Sequence, residues 1–134
     1  LFLMRKVFKY YPGCRQIVEH FSHKKQAICS NKPEYFIKRI LKEFDSETLF
    51  DPIVGGDTTP VKKPDPEVLL RIIDQHQSLP DQTVLVGDSG VDIETGRRAG
   101  VLTCGVTYGI GGKEAVKDAD FVIDHIDELK ELFH

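Results

Sequence analysis

Five short apolar runs, separated by segments of helical periodicity, constrain this fold more than anything else in the chain. Residues 26–29, 50–54, 84–86, 101–106 and 121–123 are almost wholly apolar rather than alternating, the pattern of strands buried on both faces. Between them, apolar residues recur three and four apart. Ile17, Val18 and Phe21 give a helix over residues 14–24, after the Pro12-Gly13 break. Phe36, Ile37, Ile40 and Leu41 give a second over 33–44, with Pro33 at its first position and Asn31 and Glu34 placed for a capping box. A third spans 65–77 behind Asp65-Pro66-Glu67, a fourth runs from Gly90 to Ala99 and stops at Gly100, and a last one covers 127–133. This alternation predicts an α/β fold, a three-layer, Rossmann-like parallel sheet covered on both faces. No repeat, low-complexity stretch or linker divides the chain, so residues 12–134 read as one domain.

Composition excludes several classes of function. The 134 residues are 40% hydrophobic and 29% charged, ordinary for a globular domain able to bury a core. A net charge of −3 offers no electrostatic case for nucleic acid or an anionic membrane as partner. No apolar run approaches the length of a bilayer span. The opening Leu1-Phe2-Leu3-Met4 runs straight into Arg5 and Lys6, the reverse of a signal peptide's order. The cysteines, Cys14, Cys29 and Cys104, are odd in number and far apart, which argues against a disulfide framework or a zinc site and for a cytoplasmic protein. His20 and His23 share a helix face without supporting acids and read as exposed surface residues.

Sites in open parallel sheets gather at the carboxyl ends of the strands, and the chemically interesting residues fall there. Val84-Leu85-Val86 ends in Gly87, followed by Asp88 and Asp92 four residues apart. Two acids converging on a strand end suit a hard cation such as Mg²⁺. Equally, Asp88 can cap the next helix while Asp92 complements its dipole. Ser30, beyond residues 26–29, offers a hydroxyl where a helix begins, either as a plain cap or, with outward-pointing amides, as an anion site. Lys63, in Lys62-Lys63-Pro64-Asp65-Pro66, is either a solvated loop residue or a cation held on a stiff turn to neutralise phosphate. Hydroxyl, lysine and paired acids, each at a different strand end, are together the parts of a Mg²⁺-assisted phosphoryl-transfer site. Gly109-Ile110-Gly111-Gly112 lacks a full GxGxxG and opens no βαβ unit, so a nucleotide fingerprint is not indicated.

In order and spacing, Ser30-Asn31-Lys32-Pro33, Gly55-Gly56-Asp57-Thr58, Lys62-Lys63-Pro64-Asp65-Pro66 and Gly87-Asp88-Ser89-Gly90-Val91-Asp92 resemble haloacid dehalogenase-like phosphatases, and among them the phosphoglycolate phosphatase group. Ala99-Gly100-Val101, Gly105-Val106-Thr107-Tyr108-Gly109 and Ala119-Asp120-Phe121-Val122-Ile123-Asp124 extend the likeness over nearly all of residues 11–134. The resemblance implies a Mg²⁺-dependent phosphomonoester hydrolase acting on a small phosphorylated substrate. Ser30 would hydrogen-bond the phosphoryl group with Asn31 beside it, and Lys63 would stabilise charge on the nucleophile and phosphate. Asp88 would ligate Mg²⁺, Asp92 would support the metal directly or through water, and residues 107–112 would form a loop at the site mouth.

The family's first motif, an Asp-x-Asp on the first strand that supplies nucleophile and general acid/base, has no counterpart here. Asp118-Ala119-Asp120 has the spacing but precedes a strand instead of following one, and Asp124 and Asp127 are too far apart. The chain is therefore expected to be a HAD-like core lacking the first strand and the helical cap. Residues 1–11 would be the tail of a cap helix or a replacement strand. Alone, the chain is expected to be inactive. The lost strand would leave a gap mid-sheet, to be filled by residues 1–8 refolded as a strand, by strand exchange in a homodimer, or by a missing N-terminal piece. The alternative is a non-catalytic, phosphate- or Mg²⁺-binding or dimerising protein.

Overall fold

The computed structural model describes residues 2–4, 14–43, 45–58, 60 and 63–133. Within them, six parallel strands form one sheet in the order β3-β2-β1-β4-β5-β6. The strands are β1 (Phe2–Met4), β2 (Gln26–Cys29), β3 (Ile53–Val54), β4 (Val84–Gly87), β5 (Leu102–Val106) and β6 (Phe121–Ile123). The helices are α1 (Cys14–His20), α2 (Glu34–Glu43), α3 (Glu67–Gln75), α4 (Gly90–Ala99), α5 (Gly112–Ala115) and α6 (Leu129–Leu132). The sheet is all parallel, as the unbroken apolar runs require.

Side-chain alternation along the strands divides the core in two. Ile28, Val84, Val86, Cys104 and Val106 face one side with Ile17 and Val18 of α1, Phe21 just after it, Ile37 and Leu41 of α2, and Leu129 of α6. Ala27, Cys29 and Leu85 face the other, against Val68, Leu69, Ile72 and Ile73 of α3 and Ala99 of α4. Period two in the strands and 3.6 in the helices thus builds the three layers.

The expected mid-sheet gap is occupied from within the chain. Phe2, Leu3 and Met4 pair in parallel with Gln26, Ala27 and Ile28 on one side and with Val84, Leu85 and Val86 on the other. Expectations for Leu1, residues 5–13, Phe44 and Lys62 lie outside the described residues.

Several boundaries differ from the sequence reading for local reasons. β3 is shorter than the expected 50–54, since Pro52 has no N–H to donate. Pairing with β2 still continues past it, through Asp51 N–H to Gln26 O at 2.8 Å and Ile28 N–H to Pro52 O at 3.1 Å. α3 starts at Glu67, whose N–H donates to the Asp65 carboxylate at 2.9 Å. The expected last helix, 127–133, is split into a 3-10 turn, Ile126–Glu128, and α6, where the Glu128 carboxylate folds back onto the N–H groups of Asp124 and His125. The expected capping box at α2 is not formed by Asn31. Ser30 Oγ accepts from Lys32 N–H at 3.1 Å, and the N–H of Glu34 donates to Asp57, 23 residues away, at 2.8 Å.

Candidate functional site

Three strand ends converge where the sequence placed its candidates. β2 delivers Ser30, the β3 exit leads through Gly55-Gly56 towards Lys63, and β4 delivers Asp88. Lys63 ties them together. Its ammonium donates to the Cys29 carbonyl at 3.1 Å and to Asp92 Oδ1 at 2.9 Å, and both charged side chains are buried, 2% and 0% exposed. A buried ammonium is tolerable only when paired and hydrogen-bonded, so the solvated-loop reading of Lys63 is excluded.

The geometry separates the two acids that the sequence paired. Asp92, in the first turn of α4, turns inward: Oδ1 faces Lys63, and Oδ2 accepts from Ser89 Oγ at 3.0 Å and from Asp88 N–H at 3.3 Å. Room for it comes from Gly87, where a Cβ would lie 2.4 Å from the Asp92 Cβ. Asp88 stands half-buried at the strand end, its backbone rather than its carboxylate engaged by Asp92. Asp88 is not the helix cap either. Ser89 caps α4, its Oγ accepting from Asp92 N–H at 3.3 Å.

Ser30 is 5% exposed, with its N–H on Val54 O at 2.9 Å. Because its Oγ accepts from Lys32, the hydroxyl proton is the part of the group suited to a ligand oxygen. Ser30, Asn31, Gly55, Gly56 and Lys63 share a crevice of about 10 Å³. The outward-pointing amides expected at the α2 N-terminus are partly spent: Lys32 N–H on Ser30 and Glu34 N–H on Asp57. The Glu34 carboxyl is held below its ordinary range by the hydrogen bond from Lys38, then by that from Thr58.

The loop after β5 reaches this end of the sheet. A Cβ on Gly109 would lie 2.5 Å from the Asp88 Cβ, so the loop backbone rests directly on Asp88. Thr107 itself is committed to Asp124, donating from Oγ1 at 2.7 Å. Asp118-Ala119-Asp120 serves the opposite end, where Asp120 accepts from the Thr103 N–H at 2.8 Å and the Thr103 hydroxyl at 3.0 Å. It joins β5 to the entry of β6 and stands apart from the candidate site.

Among the described residues, no three His, Cys, Asp or Glu side chains cluster to hold a metal by themselves. A Mg²⁺ ion does not need such a cage, since it keeps several waters and takes one or two carboxylates plus substrate phosphate oxygens. Asp88, a hard oxygen donor at the strand end, fits that mode; Asp92 fits as the residue that orients the Asp88 turn. A cavity of about 520 Å³ lies elsewhere, against the β3 edge between α2 and α3, lined by Lys38, Ile53, Arg71 and Ile72 among others. It contains none of Lys63, Asp88 or Asp92, so chemistry rather than size locates the site. Also legible only in three dimensions are Asp57, Thr58 and Ser89, which hold the loops around it. No helix among the described residues is long and apolar enough to cross a membrane.

The chain is similar to proteins of known family and structure. The family model for haloacid dehalogenase-like hydrolases matches residues 3–106. A phosphoglycolate phosphatase of Vibrio cholerae is 39% identical over 108 residues, covering 79% of this chain and 48% of that protein. One from Pseudomonas putida is 36% identical over 124 residues, covering 91% and 45%. The crystal structure of a predicted phosphoglycolate phosphatase from Haemophilus somnus superposes with a TM-score of 0.85 at 27% identity, covering 92% of this chain and 57% of that one. The chain thus spans about half the length of the curated relatives it matches.

Proposed function

This chain belongs to the haloacid dehalogenase-like hydrolase family, and from that membership we propose that its site binds the phosphoryl group of a small phosphomonoester with Mg²⁺, within a phosphatase of the phosphoglycolate phosphatase kind. The observation that carries the reading is Lys63, a buried cation bridging the ends of the two strands that flank β1. Ser30 donates its hydroxyl proton to a phosphoryl oxygen, Asn31 lies beside it, and Lys63 offsets the charge of the bound phosphate. Asp88 would hold Mg²⁺, which would neutralise phosphate charge when bound. Asp92 keeps Lys63 and the Asp88 turn in place.

In a parent enzyme of this kind, an aspartate carboxylate attacks phosphorus, the alcohol departs, and water hydrolyses the aspartyl-phosphate. In this chain β1 carries Phe2, Leu3 and Met4, and the first carboxylate of the sequence is Glu19. We therefore expect negligible turnover from the 134 residues alone. The same observation favours a second reading, a non-catalytic phosphate- or Mg²⁺-binding protein. Self-association by strand exchange is a separate expectation for this chain, and light scattering tests it.

Titration calorimetry with inorganic phosphate and Mg²⁺, alongside hydrolysis of an aryl phosphate, tests both halves. Phosphate binding without turnover is the expected result. No binding overturns the site. Mg²⁺-dependent hydrolysis that survives repurification and is lost in Asp88→Asn overturns the inactivity.

A further inference from the structure

Two loops of the site lie in direct backbone contact, and side chains without an assigned role hold them there. Gly56 N–H donates to Lys32 O at 2.7 Å. A Cβ on Gly55 would sit 2.3 Å from Glu34 N, and one on Gly56 2.1 Å from Asn31 O, so only glycine permits this approach. Asp57 Oδ1 then accepts from Glu34 N–H at 2.8 Å. Thr58 Oγ1 donates to the Glu34 carboxylate at 3.1 Å and accepts from Gly55 N–H at 3.0 Å. The same loop ends at Lys63, which is fastened to the Cys29 carbonyl immediately before Ser30. Residues 55–58 at one point and Lys63 at another are therefore pinned to segment 29–34.

We propose that Asp57 and Thr58 are positioning residues of this site, clamping the lysine-bearing loop to the Ser30–Glu34 turn so that Ser30 and Lys63 meet a phosphoryl group as one preorganised unit. The proposal rests on the phosphate-binding reading above. Neither residue touches the ligand. Asp57 supplies an acceptor to the α2 N-terminus, where a carboxylate is favoured by the helix dipole and an orphan N–H is satisfied. It also denies that amide to an anion, which directs the phosphate to Ser30 and Lys63 instead. Thr58 completes the clamp by tying Glu34 to Gly55, so the two bonds close a ring across both loops. Preorganisation of this sort raises affinity by removing an ordering cost from binding.

The test combines phosphate affinity with amide hydrogen exchange in the wild type and in Asp57→Ala, Asp57→Asn and Thr58→Val. Asp57→Ala is expected to weaken inorganic phosphate binding about fivefold, the scale of one capping interaction. It should also speed exchange at Glu34, Lys32 and Gly56. Asp57→Asn keeps the acceptor oxygen and should stay within about twofold of wild type. Thr58→Val should fall between them. An Asp57→Ala protein that binds phosphate as well as wild type, or more tightly, while losing thermal stability makes Asp57 a plain helix cap and overturns the proposal. If the wild type binds no phosphate, the phosphate-binding reading fails and exchange decides the clamp alone. Unchanged protection at Lys32 and Gly56 in Asp57→Ala then overturns it, and faster exchange at both sustains it.

Discussion

Asp92→Asn isolates the interaction on which the rest of the site depends. Asparagine keeps the volume but offers one acceptor and an NH₂ group where the carboxylate serves Lys63, Ser89 and the Asp88 N–H. Either amide orientation sets a donor against a donor, and in both the buried Lys63 ammonium loses the Asp92 charge. Removing one partner of a buried pair costs about 3–5 kcal/mol, because the surviving charge stays desolvated. For 134 residues, an unfolding entropy of about 2.1 cal/mol/K per residue turns that into a fall in Tm of roughly 10–18 °C. Urea denaturation should show a lower midpoint with an unchanged m-value, since the surface exposed on unfolding is the same. Lys63→Met should cost a similar amount, and the Lys63→Met/Asp92→Asn double variant should recover about 2 kcal/mol relative to additivity. A loss under about 1 kcal/mol with no coupling in the cycle would refute the reasoning. Lys63 would then not be a buried cation dependent on Asp92.

Asp88→Asn should lower Mg²⁺ affinity, measured calorimetrically with phosphate present, by about tenfold or more while leaving the urea midpoint nearly unmoved; an unaltered affinity would assign the metal elsewhere. Gly56→Ala drives a Cβ into the Asn31 carbonyl, 2.1 Å away, and should destabilise by about 1–3 kcal/mol as an overpacked site while abolishing phosphate binding. Burial, and then the Glu128 carboxylate, push the Cys104 thiol from 9.0 up to about 12. The unfolded thiol therefore ionises first, and its contribution to stability is complete below pH 9 and lost as pH climbs towards 12. Wild type should lose more stability than Cys104→Ala across that window, and equal losses in urea titrations would contradict the assignment.

What the sequence made legible was local. α4 has its left-handed stop, Gly100 at φ 77°, immediately after its last turn, and its bounds match the reading. The β2 and β6 runs match too, since each is an apolar stretch bounded by turn residues. What stayed hidden was set by distant partners. Three apolar residues, Phe2–Met4, carry no periodicity, and only pairing on both sides defines them as a strand. The Asn31/Glu34 spacing pointed to a capping box, yet the acceptor that serves Glu34 N–H comes from Asp57, and the Glu34 carboxylate turns to Thr58 and Lys38. The four-residue spacing of Asp88 and Asp92 brings them to one turn without saying which faces inward. The signal that could have decided it was Gly87, whose missing side chain vacates the volume Asp92 occupies.

The candidate site owes its shape to how a single cation spans the sheet. β2 and β4 are separated by β1, so their ends lie two strand spacings apart, roughly 10 Å. Lys63 and the inward-turned Asp92 side chain close that distance together, the ammonium taking the Cys29 carbonyl on the β2 side and the carboxylate reaching it from the first turn of α4. The Lys63 charge is thereby held near the ends of β2 and β4, paired with an Asp92 carboxylate that also accepts from Ser89 and the Asp88 backbone. A second anion near the same ammonium gains from a low-dielectric setting in which the hydrogen bonds are already arranged. Ser30 and Asp88, standing at the ends of β2 and β4, then divide the work: the hydroxyl can meet an anion directly, whereas the carboxylate can do so only through a cation. On the proposed reading, that division suits a dianionic phosphate with a divalent metal, and phosphate affinity measured with and without Mg²⁺ should show the metal strengthening binding.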